Sequence, residues 1–143
     1  MVIIKSEIIP QGFDELADSF IKDSFDYEMN VESIKEQINF VLEEQRGAFW
    51  TIWDKGDLSG YFFCEVLPAE YGGFVCIVKE AFVKKSGIKL AKEIENTVED
   101  WARKHSIDEL VFYTRRNPIA FMNALNKGWK IDSFVLKKRL IGE

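Results

Sequence analysis

Near the middle of the sequence stands the stretch Val83-Lys84-Lys85-Ser86-Gly87-Ile88-Lys89-Leu90-Ala91, where one periodicity gives way to another. Before it, residues 74–82 are rich in β-branched and aromatic side chains, which is typical of a strand. After it, apolar residues recur at steps of three and four as far as Trp101, the period of one helix face. The stretch therefore predicts a strand that passes through a short Ser-Gly turn directly into a long helix.

This turn has a chemical consequence. The first N–H groups of a helix have no intrahelical partner and lie at the positive end of the helix dipole. Such a position attracts a phosphate or another anion, and Lys84 and Lys85 strengthen the attraction. The alternative is an ordinary strand–helix connection whose lysines are solvated.

The bulk composition restricts the class of protein. A chain of 143 residues that is 47% hydrophobic and 30% charged is typical of one soluble globular domain, which we expect to span residues 1–143. We find no signal-peptide layout and no apolar run of membrane-spanning length, so we expect a cytoplasmic protein without a membrane partner. The net charge of −5 argues against nucleic acid as the main partner. A single histidine and two cysteines, Cys64 and Cys76, both inside predicted strands, predict buried free thiols and no metal site.

Two helices are predicted in the first third of the chain. A β-prone opening at residues 2–9 is closed by Pro10, and an apolar helical stripe follows at residues 13–21. A second stripe runs through residues 34–42, with Ser33 and Glu36 as a candidate capping box.

From Ala48 the hydrophobic period changes to two. Residues 49–53 and 61–67 flank a segment rich in Gly and Asp, which predicts a hairpin, and a further reversal at Gly72 precedes the strand at residue 74. Three antiparallel strands therefore follow one another.

Beyond the long helix, residues 108–114 predict a buried strand that is parallel to the strand at residue 74, because a crossover helix joins the two. Asn117 and Pro118 suit the start of another helix, and Gly128 suits its left-handed stop. Residues 129–140 alternate loosely and predict either two very short strands or one long strand. The expected fold class is α/β (α+β), with a mixed, mostly antiparallel sheet and helices on both faces.

This order of elements resembles that of the Gcn5-related N-acetyltransferase (GNAT) superfamily. The pyrophosphate loop of that family reads Arg/Gln-x-x-Gly-x-Gly/Ala, and Lys84-x-x-Gly87-x-Lys89 occupies the same frame here. Residues 117–129 are similar to the family's Asn-x-x-Ala-x-x-x-Tyr-x-Lys-x-Gly-Phe helix, with matches at Asn117, Ala120 and Gly128.

The resemblance implies a site for acetyl-CoA between two strands that splay apart. Backbone groups freed by the splay would bond the pantetheine amides, the start of the helix would hold the pyrophosphate, and Asn117 would face the pantetheine from the other wall. By resemblance, the pantetheine residues are Ala81, Phe82 and Val83, and the pyrophosphate residues are Lys85, Ser86, Gly87, Ile88 and Lys89.

The resemblance also implies direct attack of an amine on the thioester, helped by a base and an acid. Glu80 is the candidate base; the alternative is a surface carboxylate paired with Lys79 or Lys84. Tyr113 is the candidate acid, or else a packed ring with its hydroxyl at the rim. Glu65 is a second candidate base.

Three departures from the family pattern keep a second hypothesis open. Lys89 stands where the family has Gly or Ala, and the loop before Gly87 is shorter than in the family. Ala124 occupies the position where many members have the Tyr that serves as general acid. Arg115 and Arg116 suit either the 3′-phosphate of CoA or a solvated loop. The expected activity is acetyl transfer to a small-molecule or peptide amine; the alternative is an inactive binding or assembly module, as in some phage-encoded proteins of this fold.

The C-terminal residues carry a further expectation. If residues 129–140 form only one strand, an edge of the sheet stays open, and proteins tend to cover such edges. We therefore expect a homodimer in which the C-terminal segment of a partner fills the gap.

Overall fold

The chain forms five strands and four helices within the residues that the computed structural model describes, which are 1–22, 29–84, 88–113, 118–138 and 140–141. In chain order the elements are β1 (Val2–Ser6), α1 (Phe13–Lys22), α2 (Val31–Glu43), β2 (Gly47–Asp54), β3 (Asp57–Pro68), β4 (Phe74–Val83), α3 (Ile88–Lys104), β5 (Glu109–Phe112) and α4 (Pro118–Asn123). No helix in these ranges is long and apolar enough to cross a membrane.

The strands make one five-stranded sheet in the order β1-β2-β3-β4-β5. The first three pairings are antiparallel, and β5 lies parallel to β4 after the crossover through α3. The expected hairpins, the parallel crossover strand and the mixed sheet with helices on both faces are therefore confirmed.

The alternation of side chains along the strands supplies a separate core to each face of the sheet, because successive residues point to opposite sides. On one face, α1 and α2 bury their apolar stripes against β2 and β3; the buried residues are Phe13, Leu16, Ala17, Ile34, Ile38, Val41, Phe49, Tyr61 and Phe63. On the other face, α3 covers the alternate positions; the buried residues are Ala48, Trp50, Ile52, Phe62, Cys64, Cys76, Val78, Leu90, Ile94, Val98 and Ala102. Every one of these side chains is 8% exposed or less, so the sheet is covered on both sides.

The start of α2 differs from the prediction. The capping residue is Asn30, whose side chain accepts a hydrogen bond from the Ser33 backbone N–H at 2.8 Å. The Ser33–Glu36 capping box is therefore wrong, because the helix already begins at Val31 and Ser33 lies within its first turn.

The region after α3 also departs from the prediction. Helix α4 begins at Pro118 as expected but ends at Asn123, five residues before Gly128, which does adopt a positive φ of 108°. The following chain is tied to α3 by the buried carboxylate of Glu95, which accepts hydrogen bonds from the Asn126 N–H at 2.7 Å and from the Trp129 indole N–H at 2.8 Å.

No strand forms in residues 130–138, here called the C-terminal segment, or at positions 140 and 141. Both predictions for this region, two short strands or one long strand, are wrong for this chain. A strand needs a neighbouring strand to satisfy its backbone groups, and no strand among the described residues pairs with the C-terminal segment.

Candidate functional site

A gap opens where β4 runs beyond β5. The parallel ladder has four pairs, from Val75 with Glu109 to Val78 with Phe112. Strand β4 continues to Val83, and over this last half it pairs only with β3 among the described residues. One side of the β4 backbone, including Ala81, Phe82 and Val83, therefore faces the gap without a strand partner in the described part of the chain.

A bulge in β4 decides which side chains lie beside this gap. Phe63 pairs with Glu80, whereas the next residue of β3, Cys64, pairs with Val78, so Lys79 is an extra residue. Because of one inserted residue, each side chain after it points to the face opposite the one it would otherwise occupy. Glu80 and Phe82 consequently lie on the α1/α2 face, opposite Phe63 and Tyr61.

Glu80 is a carboxyl group in this region with a buried hydrogen-bond partner and a raised pKa. Its Oε2 accepts a hydrogen bond of 2.8 Å from the hydroxyl of Tyr61, which is completely buried. Burial raises the pKa of Glu80 from 4.5 to about 7, although the Tyr61 hydrogen bond opposes this rise. Burial also raises the pKa of Tyr61, and the neighbouring charge of Glu80 raises it further, so Tyr61 remains a hydrogen-bond donor. A carboxyl group with a pKa near 7 is suited to accept and release a proton at neutral pH.

The expected alternative partners of Glu80 lie elsewhere. Lys79 forms an ion pair of 3.3 Å with Glu65, on the same face of the sheet as Phe63. Lys84 is exposed, and its backbone N–H donates a hydrogen bond to the carbonyl oxygen of Ser59 at 2.9 Å. The Glu65 carboxylate is thus engaged by a lysine, whereas that of Glu80 is held by a neutral hydroxyl.

A pocket of about 290 Å³ opens between α2 and the sheet on the same face as Glu80. It reaches Phe63, the cross-strand neighbour of Glu80, and it is lined by Ser33, Glu36, Gln37, Phe40, Val41, Phe63, Glu65 and Lys79. Its wall therefore combines two apolar rings with carboxylates, an amide and one ammonium group.

The other predicted site residues divide into two groups. Ile88 begins α3 as expected; Lys89 is exposed in its first turn, which contains no acidic residue. Tyr113 follows β5 directly and is 61% exposed. Lys85, Ser86, Gly87 and Asn117, together with Arg115 and Arg116, lie outside the described residues. The structure thus brings Glu80, Ala81, Phe82 and Val83 together at the gap and leaves the phosphate contacts as predictions.

The two cysteines are free and buried, as the sequence predicts. A hydrogen bond with Cys76, together with burial, raises the pKa of Cys64. A thiol with a raised pKa is a poor nucleophile, so Cys64 does not suit covalent catalysis. The described residues contain no group of three His, Cys, Asp or Glu side chains that could hold a metal ion.

Tyr61, whose hydroxyl donates a hydrogen bond to the Glu80 carboxylate, is not among the site residues that the sequence predicted. It sits in an aromatic run, and nothing in that run distinguishes a core ring from a hydrogen-bond donor. Its contact with Glu80 is a diagonal one across the β3–β4 ladder, because Tyr61 itself pairs with Phe82. Only the bulge creates this contact, and no pattern in the sequence marks its position.

Solved structures of the same fold are numerous. A predicted acetyltransferase from Clostridium acetobutylicum, solved with acetyl-CoA, has a TM-score of 0.70 at 10% identity, covering 97% of both chains. An aminoglycoside 6′-N-acetyltransferase from Acinetobacter haemolyticus has a TM-score of 0.69 at 12% identity, covering 98% of this chain and 99% of its own. A transcriptional regulator from Bacillus halodurans C-125 has a TM-score of 0.71 at 9% identity, covering 97% of this chain and 100% of its own. No protein-family model and no curated protein sequence matches the chain.

Proposed function

We propose that this chain, which has the fold of the GNAT acetyltransferases, transfers an acetyl group from acetyl-CoA to an amine. The observation that carries the proposal is the position and ionisation of Glu80. Its carboxyl group has a pKa of about 7 and lies in the part of β4 that runs beyond β5. A base is needed at such a gap, because an amine is protonated at neutral pH and only its neutral form is nucleophilic.

The reaction would begin with transfer of a proton from the ammonium group of the acceptor to the carboxylate of Glu80. The neutral amine then attacks the carbonyl carbon of the thioester, and the C–S bond breaks as the amide forms. The departing thiolate of CoA takes up a proton, for which Tyr113 at the end of β5 is the candidate donor. Tyr61 has a positioning role, since its hydroxyl holds one oxygen of Glu80.

Binding of acetyl-CoA is supported by two features of this chain. The side of β4 that has no strand partner among the described residues offers N–H and C=O groups of the kind that pair with the amides of an extended pantetheine arm. The first turn of α3 carries Lys89 and no acidic residue, a charge pattern that favours an anion at the helix start. We propose that Lys85, Ser86, Gly87 and Ile88 contribute the pyrophosphate contacts and that Asn117 faces the pantetheine.

The acceptor is proposed to be a small-molecule or peptide amine that enters from the α2 side. The pocket there shares Phe63 with the neighbourhood of Glu80 and includes Glu36, whose charge suits an ammonium group, whereas Glu65 is already paired with Lys79. A similar structure is that of an enzyme named for acetylating an aminoglycoside, which is a small amine.

A thiol-release assay with acetyl-CoA and a panel of amines between pH 6 and 9 tests the proposal. The Glu80→Gln variant keeps the shape of the side chain but cannot take a proton, so kcat should fall about 100-fold or more. The control is Glu70→Gln, a change of the same type at an exposed position in the β3–β4 turn, which should leave kcat unchanged. Equal activity of the Glu80 variant and the wild type would refute the assignment of the base.

A second candidate function, a binding or assembly module without catalysis, is favoured by Ala124. This residue follows α4 and has no proton to donate at the position where the family has a tyrosine. One of the similar structures is named as a transcriptional regulator. Titration calorimetry with acetyl-CoA, combined with the thiol-release assay, separates the two functions. Binding without release of thiol in the presence of any amine would favour the module. Absence of binding would mean that acetyl-CoA has no part in either function.

A further inference from the structure

Glu95 is a buried carboxylate for which the proposed reaction has no use. It lies in the middle of α3 and is 2% exposed, next to Ile94, which belongs to the core between α3 and the sheet. Burial of a charged group costs free energy unless hydrogen bonds satisfy it. An apolar residue at this position would avoid that cost, so the role of Glu95 follows from the groups that it binds.

The carboxylate binds the chain that follows α4. Its Oε1 accepts a hydrogen bond from the backbone N–H of Asn126 at 2.7 Å, and its Oε2 accepts one from the indole N–H of Trp129 at 2.8 Å. The next residue of the helix, Asn96, accepts a further bond from the side-chain amide of Asn126 at 2.8 Å. Hydrogen bonds to an ionised acceptor are stronger than those between neutral groups, so α3 holds this part of the chain firmly.

These bonds fix a cluster of rings at the end of β5. Trp129 packs on Phe112 with the ring centroids 5.0 Å apart, and Phe112 packs on Phe121 of α4 at 5.6 Å. Phe112 is the last residue of β5, and its pairing with Val78 is the last of the β4–β5 ladder. The gap begins beyond that pair, so the ring cluster lies where the two walls of the gap separate.

Helix α4 buries little surface of its own. It is six residues long, and none of these six side chains is fully buried. A helix of this length is not stable alone, and most helices owe their stability to the packing of an apolar face. The contact between Phe121 and Phe112, together with the bonds from Glu95 to the chain just after α4, therefore has a large part in setting where α4 lies.

Helix α3 connects the two walls of the gap. It begins at Ile88, shortly after β4 ends at Val83, and Glu95 lies seven residues, or about 10 Å, further along the same helix. The helix thus follows the β4 wall in the chain and binds the β5–α4 wall through a side chain. Because the hydrogen-bonded backbone of a helix is stiff, the bonds made by Glu95 fix the distance between the two walls.

We propose that Glu95 is a positioning residue for acetyl-CoA, because it holds the β5–α4 wall at the distance from β4 that an extended pantetheine arm requires. This inference rests on the proposed function, and Glu95 acts in it through Asn126 and Trp129. Glu95 belongs to α3 on one face of the sheet, whereas Glu80 lies on the α1/α2 face. Loss of the Glu95 bonds should therefore weaken binding of the cofactor and leave the proton transfer at Glu80 unchanged.

The variant Glu95→Gln tests the proposal, with the Kd of acetyl-CoA measured by titration calorimetry. Glutamine has the same shape but a single amide oxygen, so it can accept only one of the two N–H bonds and presents an N–H group to the other donor. The Kd should rise at least about tenfold. In the thiol-release assay the KM for acetyl-CoA should rise with it, while kcat at saturation and the pH profile stay unchanged. The matched control is Glu99→Gln, one turn further along α3 in a surface ion pair with Arg103, which should leave the Kd unchanged.

Trp129→Phe provides a second, milder variant. It keeps an aromatic ring on Phe112 but removes the indole N–H, so the Kd should rise at least about threefold. In this background Glu95→Gln no longer faces that donor and should change the Kd by less than about twofold, which makes the two effects non-additive. If Glu95→Gln does not fold, Trp129→Phe alone carries the test.

Four results overturn the proposal. They are an unchanged Kd in the folded Glu95→Gln variant even where urea unfolding shows a loss of stability, an equal rise of the Kd in Glu99→Gln, additive effects of the two changes, and a pH profile that shifts with Glu95→Gln. A wild type that binds acetyl-CoA but releases no thiol contradicts acetyl transfer alone, because the Kd comparison still decides the role of Glu95. A wild type that does not bind acetyl-CoA overturns both.

Discussion

Replacement of Glu80 by glutamine is expected to make the protein more stable at alkaline pH while it lowers the proposed acetyl transfer. The carboxyl group is largely buried against Tyr61, and its pKa is raised from 4.5 to about 7. The folded state therefore binds this proton more tightly than the unfolded chain does. Glutamine has the same shape, keeps an oxygen that can accept the Tyr61 hydrogen bond, and never carries the charge.

The size of the effect follows from the pKa. A rise from 4.5 to about 7 corresponds to about 3 kcal/mol, at about 1.4 kcal/mol for each pKa unit. This stabilisation is complete below pH 4.5, is lost as the pH rises, and is gone above the folded-state pKa of about 7. Between pH 5 and pH 8 the wild type should lose about 2.5 kcal/mol that Glu80→Gln retains.

Urea unfolding, followed by circular dichroism at pH 5 and at pH 8, measures this difference. The free energy of unfolding of each variant comes from linear extrapolation, and equal m-values would show that the same surface unfolds. Glu70→Gln, at an exposed position, controls for the loss of one negative charge from a chain of net charge −5.

Two results would refute the reasoning. If Glu80→Gln were no more stable relative to wild type at pH 8 than at pH 5, the carboxyl group would not titrate near neutrality. If the variant were less stable relative to wild type at pH 8 than at pH 5, the charged carboxylate would be stabilising in the folded state, and Glu80 would not be held ready to accept a proton.

Three further predictions concern neighbouring features. Tyr61→Phe removes the hydrogen bond to the ionised carboxylate, so the pKa of Glu80 should rise by about one unit and the acidic limb of kcat/KM should move to higher pH with it. Gly60→Ala places a Cβ in steric conflict with the carbonyl oxygen of Phe82, which should displace the end of β4, cost about 2 kcal/mol in urea unfolding and weaken acetyl-CoA binding in calorimetry. Glu95→Ala leaves two N–H donors of the chain after α4 without their buried acceptor and should cost about 3 kcal/mol by the same unfolding measurement.

Each of these changes has its own control and contrary result. Tyr71→Phe removes a tyrosine hydroxyl from a side chain that is 93% exposed and should not move the pH profile; a shift equal to that of Tyr61→Phe would contradict the assignment. Unchanged stability of Gly60→Ala would mean that the two strands separate without cost. Glu99→Ala removes a carboxylate of α3 that forms a surface ion pair with Arg103, and it should cost less than about 1 kcal/mol.

The sequence alone determined the order and type of most elements, because local periodicity reflects which faces must be buried. Apolar residues in steps of three and four, and then of two, gave the helices and the hairpins, and the strand–turn–helix at residues 83–91 indicated a parallel strand after α3. These inferences need only neighbours in the chain. Glu80 and the backbone of residues 81–83 were singled out by the resemblance to the GNAT superfamily, not by periodicity.

The tertiary structure decided what depends on register and on the ends of ladders. The extra residue Lys79 turns Glu80 towards Tyr61, and the β4–β5 ladder stops at Val78, so that the same stretch of β4 has a side without a strand partner in the described part of the chain. The expected C-terminal strand failed for a related reason. A strand forms only where its backbone can hydrogen-bond to that of another strand. The alternation of residues 129–140 favours an extended conformation but does not supply such a partner.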